Sequence, residues 1–295
     1  MRTLREVNGE YRRTGRGLGH FNFSDSNQLK AIAQAAAEAR LPVIAGLSEG
    51  ERGYFPLAHA RSLLGQYRRE GVEIYLNADH TYSWEKAKEA IDAGVDSIVV
   101  DGAKLPLAQN IALVRKAVGY ARHKNFLGLG HRTLVEGELG YIGTSSKVLD
   151  RLPEGAAATE EMETTPEAAA HFVAEAGVDC LAPAVGNIHG MIKGGNPKLN
   201  IERIAAIAAA AKVPLVLHGG SGSSDEEFVR AIAAGIVVVH INTELRLCYR
   251  DSLRQAVAGE ETTPYKFLAP PVAAMQKYLV EKMRLFAGGG GMIKV

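Results

Sequence analysis

Eight short apolar runs alternate along the chain with segments of helical spacing, and this alternation limits the possible folds more than any other feature. They fall at residues 17–23, 41–47, 74–76, 95–101, within 126–139, and at 178–185, 213–217 and 236–241. Each run is continuous, as is typical of parallel strands buried on both faces. Eight strand–helix units predict an α/β fold with a single (β/α)8 TIM barrel. A doubly wound open sheet is the alternative, but the first turn lacks a GxGxxG pattern.

Length and composition fit one domain. With 295 residues, 46% of them hydrophobic and 23% charged, the chain can build a large core, and disorder is not expected. We expect a single domain over 1–295, with the barrel at about 17–258 and a C-terminal helical extension at 264–286. The glycine run near the end predicts a flexible tail at 287–295.

Charge and hydropathy exclude several classes of partner. The chain has 34 basic and 33 acidic residues, a net charge of +1 and no basic stripe, so nucleic acid is not an expected partner. No stretch reaches the roughly 18 apolar residues of a membrane span, and the first residues lack the apolar region of a signal peptide. Cys180 and Cys248 are expected to be small core residues rather than a disulfide framework. These features predict a cytoplasmic protein without a membrane partner.

Polar residues gather where the predicted strands end, which is where barrel enzymes build their sites. Residues 74–76 read as the end of a buried strand, and Asn77, Asp79 and His80 follow together. A carboxylate beside an imidazole is costly to desolvate unless a ligand uses the pair, although a structural hydrogen-bonded pair is an equal alternative. The other polar residues at strand ends are Asn22, Ser48, Asp101, Glu136, Glu138, His189, His218, Asn242 and Thr243.

Three of the nine histidines, His80, His189 and His218, follow predicted strands three, six and seven. Three imidazoles with an open fourth position are a catalytic zinc arrangement. In the alternative, His218 caps a strand and His189 lies in a mobile loop. The remaining histidines are interpreted as structural: His59, His123 and His171 on helices, and His20, His131 and His240 either in the core or behind the residues of the site.

Two loops have features of their own. The sequence HGGSG at 218–222 precedes a predicted helix, and backbone amides in such a turn can hold a phosphate, although glycines also occur merely to turn. Residues 140–165 form the longest irregular stretch, and this length indicates either a lid or a helix or strand that the pattern fails to predict. Thr165 is the expected cap of the helix that follows.

Taken together, these residues resemble the class II, zinc-dependent fructose-bisphosphate and tagatose-bisphosphate aldolases. The resemblance runs over about 19–286 and rests on FNFSDSNQLKAI, GLSEG, NADHTYSWEKAKEAIDAGVDSIVVDGAKLPLAQNI, VEGELG, LAPAVGNIHG, IKGGNPKL, PLVLHGGSGSSDEEF and INTEL. So many ordered matches make the resemblance specific.

The resemblance implies a role for each matching residue. His80, His189 and His218 would be zinc ligands, and Asp79 would exchange a proton with the C4 hydroxyl of the substrate. Glu138 matches an acidic residue of the metal site and Asp101 one near it. A ketose 1-phosphate and a monovalent cation, Na⁺ or K⁺, would lie near Gly190, Lys193, Gly219, Ser221, Asn242 and Thr243, and Asn22 and Ser48 match substrate-side positions.

The implied reaction belongs to carbohydrate metabolism such as glycolysis. Cleaving the C3–C4 bond of a ketose leaves a carbanion beside a carbonyl, and a metal bound by the C2 and C3 oxygens spreads this charge into an enediolate. Fructose or tagatose 1,6-bisphosphate is the first expected substrate, giving dihydroxyacetone phosphate and an aldehyde, and a homodimer or homotetramer is expected. The alternatives are another ketose phosphate, an unphosphorylated acceptor aldehyde, or a noncatalytic sugar-phosphate-binding barrel.

Three positions depart from the family pattern. Ser145 and Ser146 stand near the place of an acidic cluster linked to proton transfer; either Asp150 or Glu154 substitutes for it, or the proton transfer of the substrate is arranged differently. His240 replaces an asparagine, which alters a substrate contact. Tyr265 replaces an arginine associated with the second phosphate, and Lys266, Arg284 or a neighbouring subunit are possible replacements. A substrate with a single phosphate is therefore a serious alternative.

Overall fold

The fold is a closed barrel of parallel strands surrounded by helices, as seen in a computed structural model that describes residues 1–128, 133–144, 146–156 and 159–288. In chain order the strands are β1 (Leu18–Asn22), β2 (Val43–Leu47), β3 (Ile74–Thr81), β4 (Ser97–Val100), β5 (Leu134–Leu139), β6 (Val148–Leu149), β7 (Cys180–Pro183), β8 (Met191–Ile192), β9 (Leu215–Leu217) and β10 (Ile236–Ile241). All except β6 and β8 form the barrel, in the closed order β1-β10-β9-β7-β5-β4-β3-β2. The predicted TIM barrel is confirmed.

Most helices follow a barrel strand and pack outside it. They are α1 (Leu4–Thr14), α2 (Ser26–Ala39), α3 (Glu49–Tyr54), α4 (Leu57–Arg69), α5 (Trp84–Asp92), α6 (Leu107–Phe126), α7 (Pro166–Ala176), α8 (Ile201–Ala211), α9 (Asp225–Ala234), α10 (Thr243–Val257), α11 (Pro264–Phe267) and α12 (Ala269–Phe286). None of the helices in the described ranges is both long enough and apolar enough to cross a bilayer. Cys180 and Cys248 are both free thiols; Cys180 is buried, as expected of a small core residue, whereas Cys248 is only partly buried.

Local capping explains where several helices begin. The Thr165 side chain accepts a hydrogen bond from the Ala168 amide at the start of α7, which confirms the predicted cap. Ser224 and Glu227 form a reciprocal capping box at α9. These contacts satisfy amides that the first helical turn leaves without partners.

The end of β3 differs from the prediction. The apolar pattern ended this strand before Asn77, whereas β3 continues through Asp79 and His80 to Thr81. The pairing of β3 with β4 shifts register between Ala78 and Thr81, and His80 has a φ of 90°. The strand therefore contains a local bulge. The apolar pattern does not predict this part of β3 because several of its side chains are polar.

The fifth strand and its flanking loops also differ from the apolar pattern. Strand β5 begins only at Leu134, and Phe126 instead ends α6. Residues 129–132, which include His131, lie outside the described residues, as does Ser145. Strand β6 lies within the long stretch 140–165 and pairs with β8, which follows β7. This pairing joins the loop after β5 to the loop after β7.

Helix α1 lies before the first element that the sequence pattern predicts. Its buried residues Leu4, Val7 and Tyr11 recur on one helical face, and they form a cluster with barrel residues such as Leu18 and Ile44. The charged residues between them conceal this face in the sequence. Helix α1 therefore closes the end of the barrel opposite the carboxyl ends of the strands.

The C-terminal extension packs against the barrel helices. Helix α12 buries seven residues, including Met275, Leu279 and Phe286, and these three belong to the same hydrophobic cluster as the barrel core. The Gly17 amide donates to the Phe286 carbonyl at 2.7 Å, which ties the extension to the start of β1. Beyond residue 288 the expected flexible tail lies outside the described residues.

Replacing Tyr11 with alanine tests the packing of α1. Tyr11 is 1% exposed, whereas Tyr54 is 77% exposed and is the matched control. We expect Tyr11→Ala to lower the free energy of unfolding by about 3 kcal/mol or more, because it empties a buried aromatic site. Urea unfolding monitored by circular dichroism measures the loss. Equal effects of Tyr11→Ala and Tyr54→Ala would show that α1 does not stabilise the barrel.

Candidate functional site

Four candidate metal ligands converge at the carboxyl ends of the barrel strands. His80 comes from β3 and Glu138 from β5, while His189 and His218 follow β7 and β9. The candidate ligand atoms of these four residues all lie within 4.8 Å of one another. The sequence pattern placed the same residues at strand ends, and the closed barrel brings them together.

The donor atoms of this cluster fit a cation. His80 Nε2 lies 3.1 Å from His218 Nδ1, so two imidazole nitrogens face each other. Glu138 Oε2 is buried without a hydrogen-bond partner among the described residues, and burial, followed by the nearby Asp101 carboxylate, raises the pKa of Glu138. Three imidazoles and a carboxylate are ligands that zinc commonly takes.

Two carboxylates behind the cluster set which imidazole nitrogen faces it. His80 Nδ1 lies 2.9 Å from Asp101 Oδ2, and His218 Nε2 lies 2.6 Å from Glu136 Oε1. His80 therefore presents Nε2 and His218 presents Nδ1. Such outer partners orient metal-binding histidines and raise their basicity.

Asp79 lies beside the cluster as a carboxylate. Its Oδ2 accepts a hydrogen bond from Asn22 Nδ2 at 2.8 Å, and its Oδ1 lies 3.6 Å from His240 Nδ1. Burial acts to raise the pKa of Asp79, but His80, His240 and His20 outweigh it, and the pKa lies well below its usual range. Asp79 is therefore ionised near pH 7, which is the form that a general base needs.

Arg52 fixes the backbone that carries Asp79 and His80. Its buried guanidinium donates to the carbonyls of Leu47, Asp79 and His80 and to the Thr81 hydroxyl, at 2.8 to 3.3 Å. These bonds span the bulge in which His80 has a positive φ. A non-glycine residue in this conformation persists only where surrounding contacts determine it.

Two further imidazoles stack beneath the site. The rings of His20 and His240 lie 3.5 Å apart and nearly parallel, and His240 also stacks on His218. Burial lowers the pKa of His20 to about 4, and burial with the neighbouring His80 and His218 lowers that of His189 to about 3. His20 and His189 are therefore neutral near pH 7.

A cavity of about 230 Å³ opens in front of this cluster. The predicted site residues on its wall are Asn22, Ser48, Asp79, His80, His189, Gly190, Gly219, Ser221, His240, Asn242 and Thr243. Asp101, Glu136 and Glu138 lie behind the wall, against the histidines. The wall also includes Ser146, one of the departures from the family pattern, and residues that were not singled out from the sequence: Glu49, Gly50, Tyr82, Thr144 and Arg246.

One side of the cavity is built from backbone. Gly219 has a φ of 61°, and a Cβ there would lie 2.1 Å from the Ile188 carbonyl oxygen, so only glycine fits. The Ser221 hydroxyl accepts hydrogen bonds from the Asn242 and Glu244 amides at 3.4 Å, which joins this loop to the start of α10. Glycine loops and helix N-termini suit an anion such as phosphate.

Several residues singled out from the sequence lie away from this cavity, among them Lys193, which the resemblance placed at the phosphate. Lys193 pairs with Asp150 at 2.6 Å, and both side chains are exposed. Lys266 pairs with Glu261. Three others also lie off the cavity wall: Glu154 shares a separate surface depression with Asp150, Arg284 lies near Glu38, and Tyr265 is 74% exposed.

Besides the wall residues above, which include Arg246, sequence reasoning missed Glu51 and Arg52. Arg246 Nη2 contacts Glu51 Oε1 at 2.6 Å, and Glu51 completes a capping box with Ser48. That serine–glutamate spacing of three, and the spacing of three from Thr243 to Arg246, were the available signals. Neither spacing shows that α3, which carries Glu51, meets α10, which carries Arg246.

Comparison with known proteins gives the family. A model described as fructose-bisphosphate aldolase class-II matches residues 2–290. The fructose-bisphosphate aldolase of Geobacillus stearothermophilus is 32% identical over 294 residues, covering 98% of this chain and 97% of the relative. The 6-phospho-5-dehydro-2-deoxy-D-gluconate aldolase of Shouchella clausii is 34% identical over 275 residues, covering 91% of this chain and 88% of the relative.

Solved structures agree with these relatives. The YdjI aldolase from Escherichia coli K12 superimposes with a TM-score of 0.81 and 28% identity, covering 97% of each chain. This likeness extends over the barrel and its added helices. The chain therefore belongs to the class II fructose-bisphosphate aldolase family, a family of metal-dependent lyases.

Proposed function

We propose that this protein uses Zn²⁺ to cleave a ketose 1-phosphate reversibly into dihydroxyacetone phosphate and an aldehyde. One observation carries the proposal: the ligand atoms of His80, Glu138, His189 and His218 lie within 4.8 Å of one another, and Asp79 stands beside them on the cavity wall. A noncatalytic binding barrel gives no reason for such a carboxylate in this place.

The residues around the cluster divide the chemical work. His80, His189, His218 and Glu138 would hold the metal ion, which supplies a Lewis acid for the ketose carbonyl. Asp79 accepts the C4 hydroxyl proton as the C3–C4 bond breaks and returns it during condensation. The hydrogen bond from Asn22 holds the Asp79 carboxylate in position.

We place the phosphate of the dihydroxyacetone half on the backbone side of the cavity. Gly190, Gly219, Ser221, Asn242 and Thr243 all line it, and the N-terminus of α10 favours a negative charge there. A monovalent cation, Na⁺ or K⁺, is proposed in the same region. Lys193 would reach this phosphate only if its exposed pair with Asp150 opened. A homodimer or homotetramer remains a prediction.

The two substrate alternatives have different support. The name of the Geobacillus relative favours a fructose bisphosphate. The Shouchella relative is named for a substrate with one phosphate and one carboxylate. Among the described residues on the cavity wall, Arg246 is the one arginine or lysine, which supports a substrate with a single phosphate because a second phosphate needs neutralising charge.

Cleavage assays with zinc-loaded protein test this function. Fructose 1,6-bisphosphate, tagatose 1,6-bisphosphate and fructose 1-phosphate are compared, and dihydroxyacetone phosphate is measured with a coupled dehydrogenase. We expect cleavage of at least one of these ketoses, and we expect chelation to abolish it because the metal supplies the Lewis acid. Turnover that survives complete removal of the metal would contradict the proposal.

The Asp79→Asn variant tests proton transfer. We expect zinc content to be unchanged and turnover to fall by roughly a hundredfold or more, because asparagine cannot take the hydroxyl proton. Metal analysis and steady-state cleavage measure the two quantities on the same sample. Asp251→Asn, which changes an exposed aspartate, is the control and should match the wild type. Normal turnover of Asp79→Asn would remove Asp79 from the mechanism.

The Asp101→Asn variant tests the orientation of His80. Asparagine weakens the contact to His80 Nδ1, and we expect zinc affinity to fall about 10- to 100-fold, as is usual for such outer partners. Competition with a chromophoric chelator measures the affinity, and Asp251→Asn is again the control. If Asp101→Asn bound zinc as tightly as the wild type, Asp101 would have no part in holding the metal.

A further inference from the structure

Arg246 and Glu51 form an ion pair across the rim of the cavity. Arg246 lies in the first turn of α10, after β10, and Glu51 lies in α3, after β2. Strand β1 separates β10 from β2 in the barrel, so the arginine side chain crosses the carboxyl end of β1. Glu51 is 7% exposed and Arg246 is 42% exposed. The pair therefore has a buried acidic end and an accessible basic end.

Glu51 is a fixed anchor. Its carboxylate accepts hydrogen bonds from the Ser48 amide at 2.8 Å and from Asn22 Nδ2 at 3.1 Å. The same Asn22 nitrogen donates to Asp79 at 2.8 Å. A chain of contacts thus fixes the position of Arg246 relative to Asp79, the residue proposed to transfer the C4 proton.

The guanidinium of Arg246 retains donors for a ligand. Its described hydrogen bonds are the 2.6 Å contact to Glu51 and a long contact of 3.5 Å to the Ser146 carbonyl. A guanidinium has five N–H donors and suits bidentate binding of a carboxylate. Arg246 lines the cavity, so these donors can reach a bound substrate.

Arg246 extends from the start of α10 towards the carboxyl ends of β1 and β2, away from the glycine loop after β9. The glycine loop after β9 and the start of α10 would hold the dihydroxyacetone half, whereas the arginine tip lies against Glu51 of α3. Asn22, Ser48 and Glu49 line this second side. A ketose held by its phosphate at Gly219 and reacting beside Asp79 extends its aldehyde half towards these residues.

The positive charge near Arg246 suits a substrate group with one negative charge better than a group with two. Arg246 supplies a single positive charge, and the carboxylate of Glu51 already offsets part of it. Glu49 adds another carboxylate to the wall. A phosphate monoester carries about −1.5 to −2 at pH 7, whereas a carboxylate carries one charge and matches the planar guanidinium.

Building on the proposed function, we propose that Arg246, anchored by Glu51, binds one carboxylate on the aldehyde half of the substrate. The protein then condenses dihydroxyacetone phosphate with a short aldehyde that bears a carboxylate, and cleaves the corresponding ketose-phosphate acid. Arg246 is a specificity-determining residue for the aldehyde and takes no proton.

Two measurements on the zinc-loaded protein separate the substrate halves. Deuterium exchange into dihydroxyacetone phosphate, followed by NMR without aldehyde, reports the metal, the phosphate site and deprotonation of the donor. Condensation rates with succinate semialdehyde, butanal and glyceraldehyde 3-phosphate report the acceptor side. The first two aldehydes share a four-carbon chain and differ in the carboxylate.

We expect the wild type to prefer succinate semialdehyde to butanal in kcat/KM. Arg246→Gln should lower kcat/KM for succinate semialdehyde by roughly 10- to 100-fold, since it removes a charge-assisted contact, while butanal and deuterium exchange change little. Arg246→Lys should restore part of the preference. The matched control is Arg250→Gln, one turn further along α10, where the arginine is 58% exposed and pairs with Asp251.

Each contrary result has a distinct meaning. Loss of deuterium exchange in Arg246→Gln would place the arginine at the donor phosphate and overturn the inference. A wild-type preference for glyceraldehyde 3-phosphate that Arg246→Gln abolishes would identify a second phosphate site instead of a carboxylate site. Equal use of succinate semialdehyde and butanal by the wild type would also overturn it. Absence of metal-dependent exchange in the wild type would overturn the proposed function itself.

Discussion

The bulge at Asp79 and His80 is the constraint on which the rest of the site depends. Successive residues of a regular strand point to opposite faces, yet both of these side chains line the same cavity. The register shift in β3 and the φ of 90° at His80 make this possible. A residue held in such a conformation costs about 1–3 kcal/mol, and the hydrogen bonds from Arg52 to the surrounding carbonyls hold it in place.

The buried ionisable groups at the mouth of the barrel also depend on the contacts around them. Asp79, Glu138 and the histidines lie in an environment where isolated charges are strongly disfavoured. Asp79 Oδ1 and Glu138 Oε2 are buried without hydrogen-bond partners among the described residues. Asp101 and Glu136 are instead engaged with the outer nitrogens of His80 and His218. The satisfied groups lie behind the site and the unsatisfied ones face the cluster, which is the arrangement expected where a cation and a reacting hydroxyl complete it.

The sequence predicted the parts of the molecule that depend on local pattern. The run at 236–241 coincides with β10, and the strand-end histidines converge as expected. Helix α1 was missing from the prediction because only four of its residues are buried, and charged residues stand between them in the sequence. The pairing of Arg246 with Glu51 joins residues 195 positions apart, and no local spacing reveals such a contact. Polarity at strand ends therefore identified the candidate metal ligands, while the pairing of Arg246 with Glu51 needed the tertiary structure.

The two sides of the cavity differ in how they can change. On the side proposed for the dihydroxyacetone half, Gly219 admits no side chain because the Ile188 carbonyl occupies the space, so a substitution there disturbs the loop that carries His189. On the side proposed for the aldehyde half, Ser48, Glu49 and Arg246 line the cavity, and the partly exposed Arg246 side chain can be exchanged while the backbone stays in place. A family built on this barrel can therefore keep one donor half and vary the aldehyde. This difference gives a physical reason why relatives of similar identity, at 32% and 34%, have names that refer to different substrates.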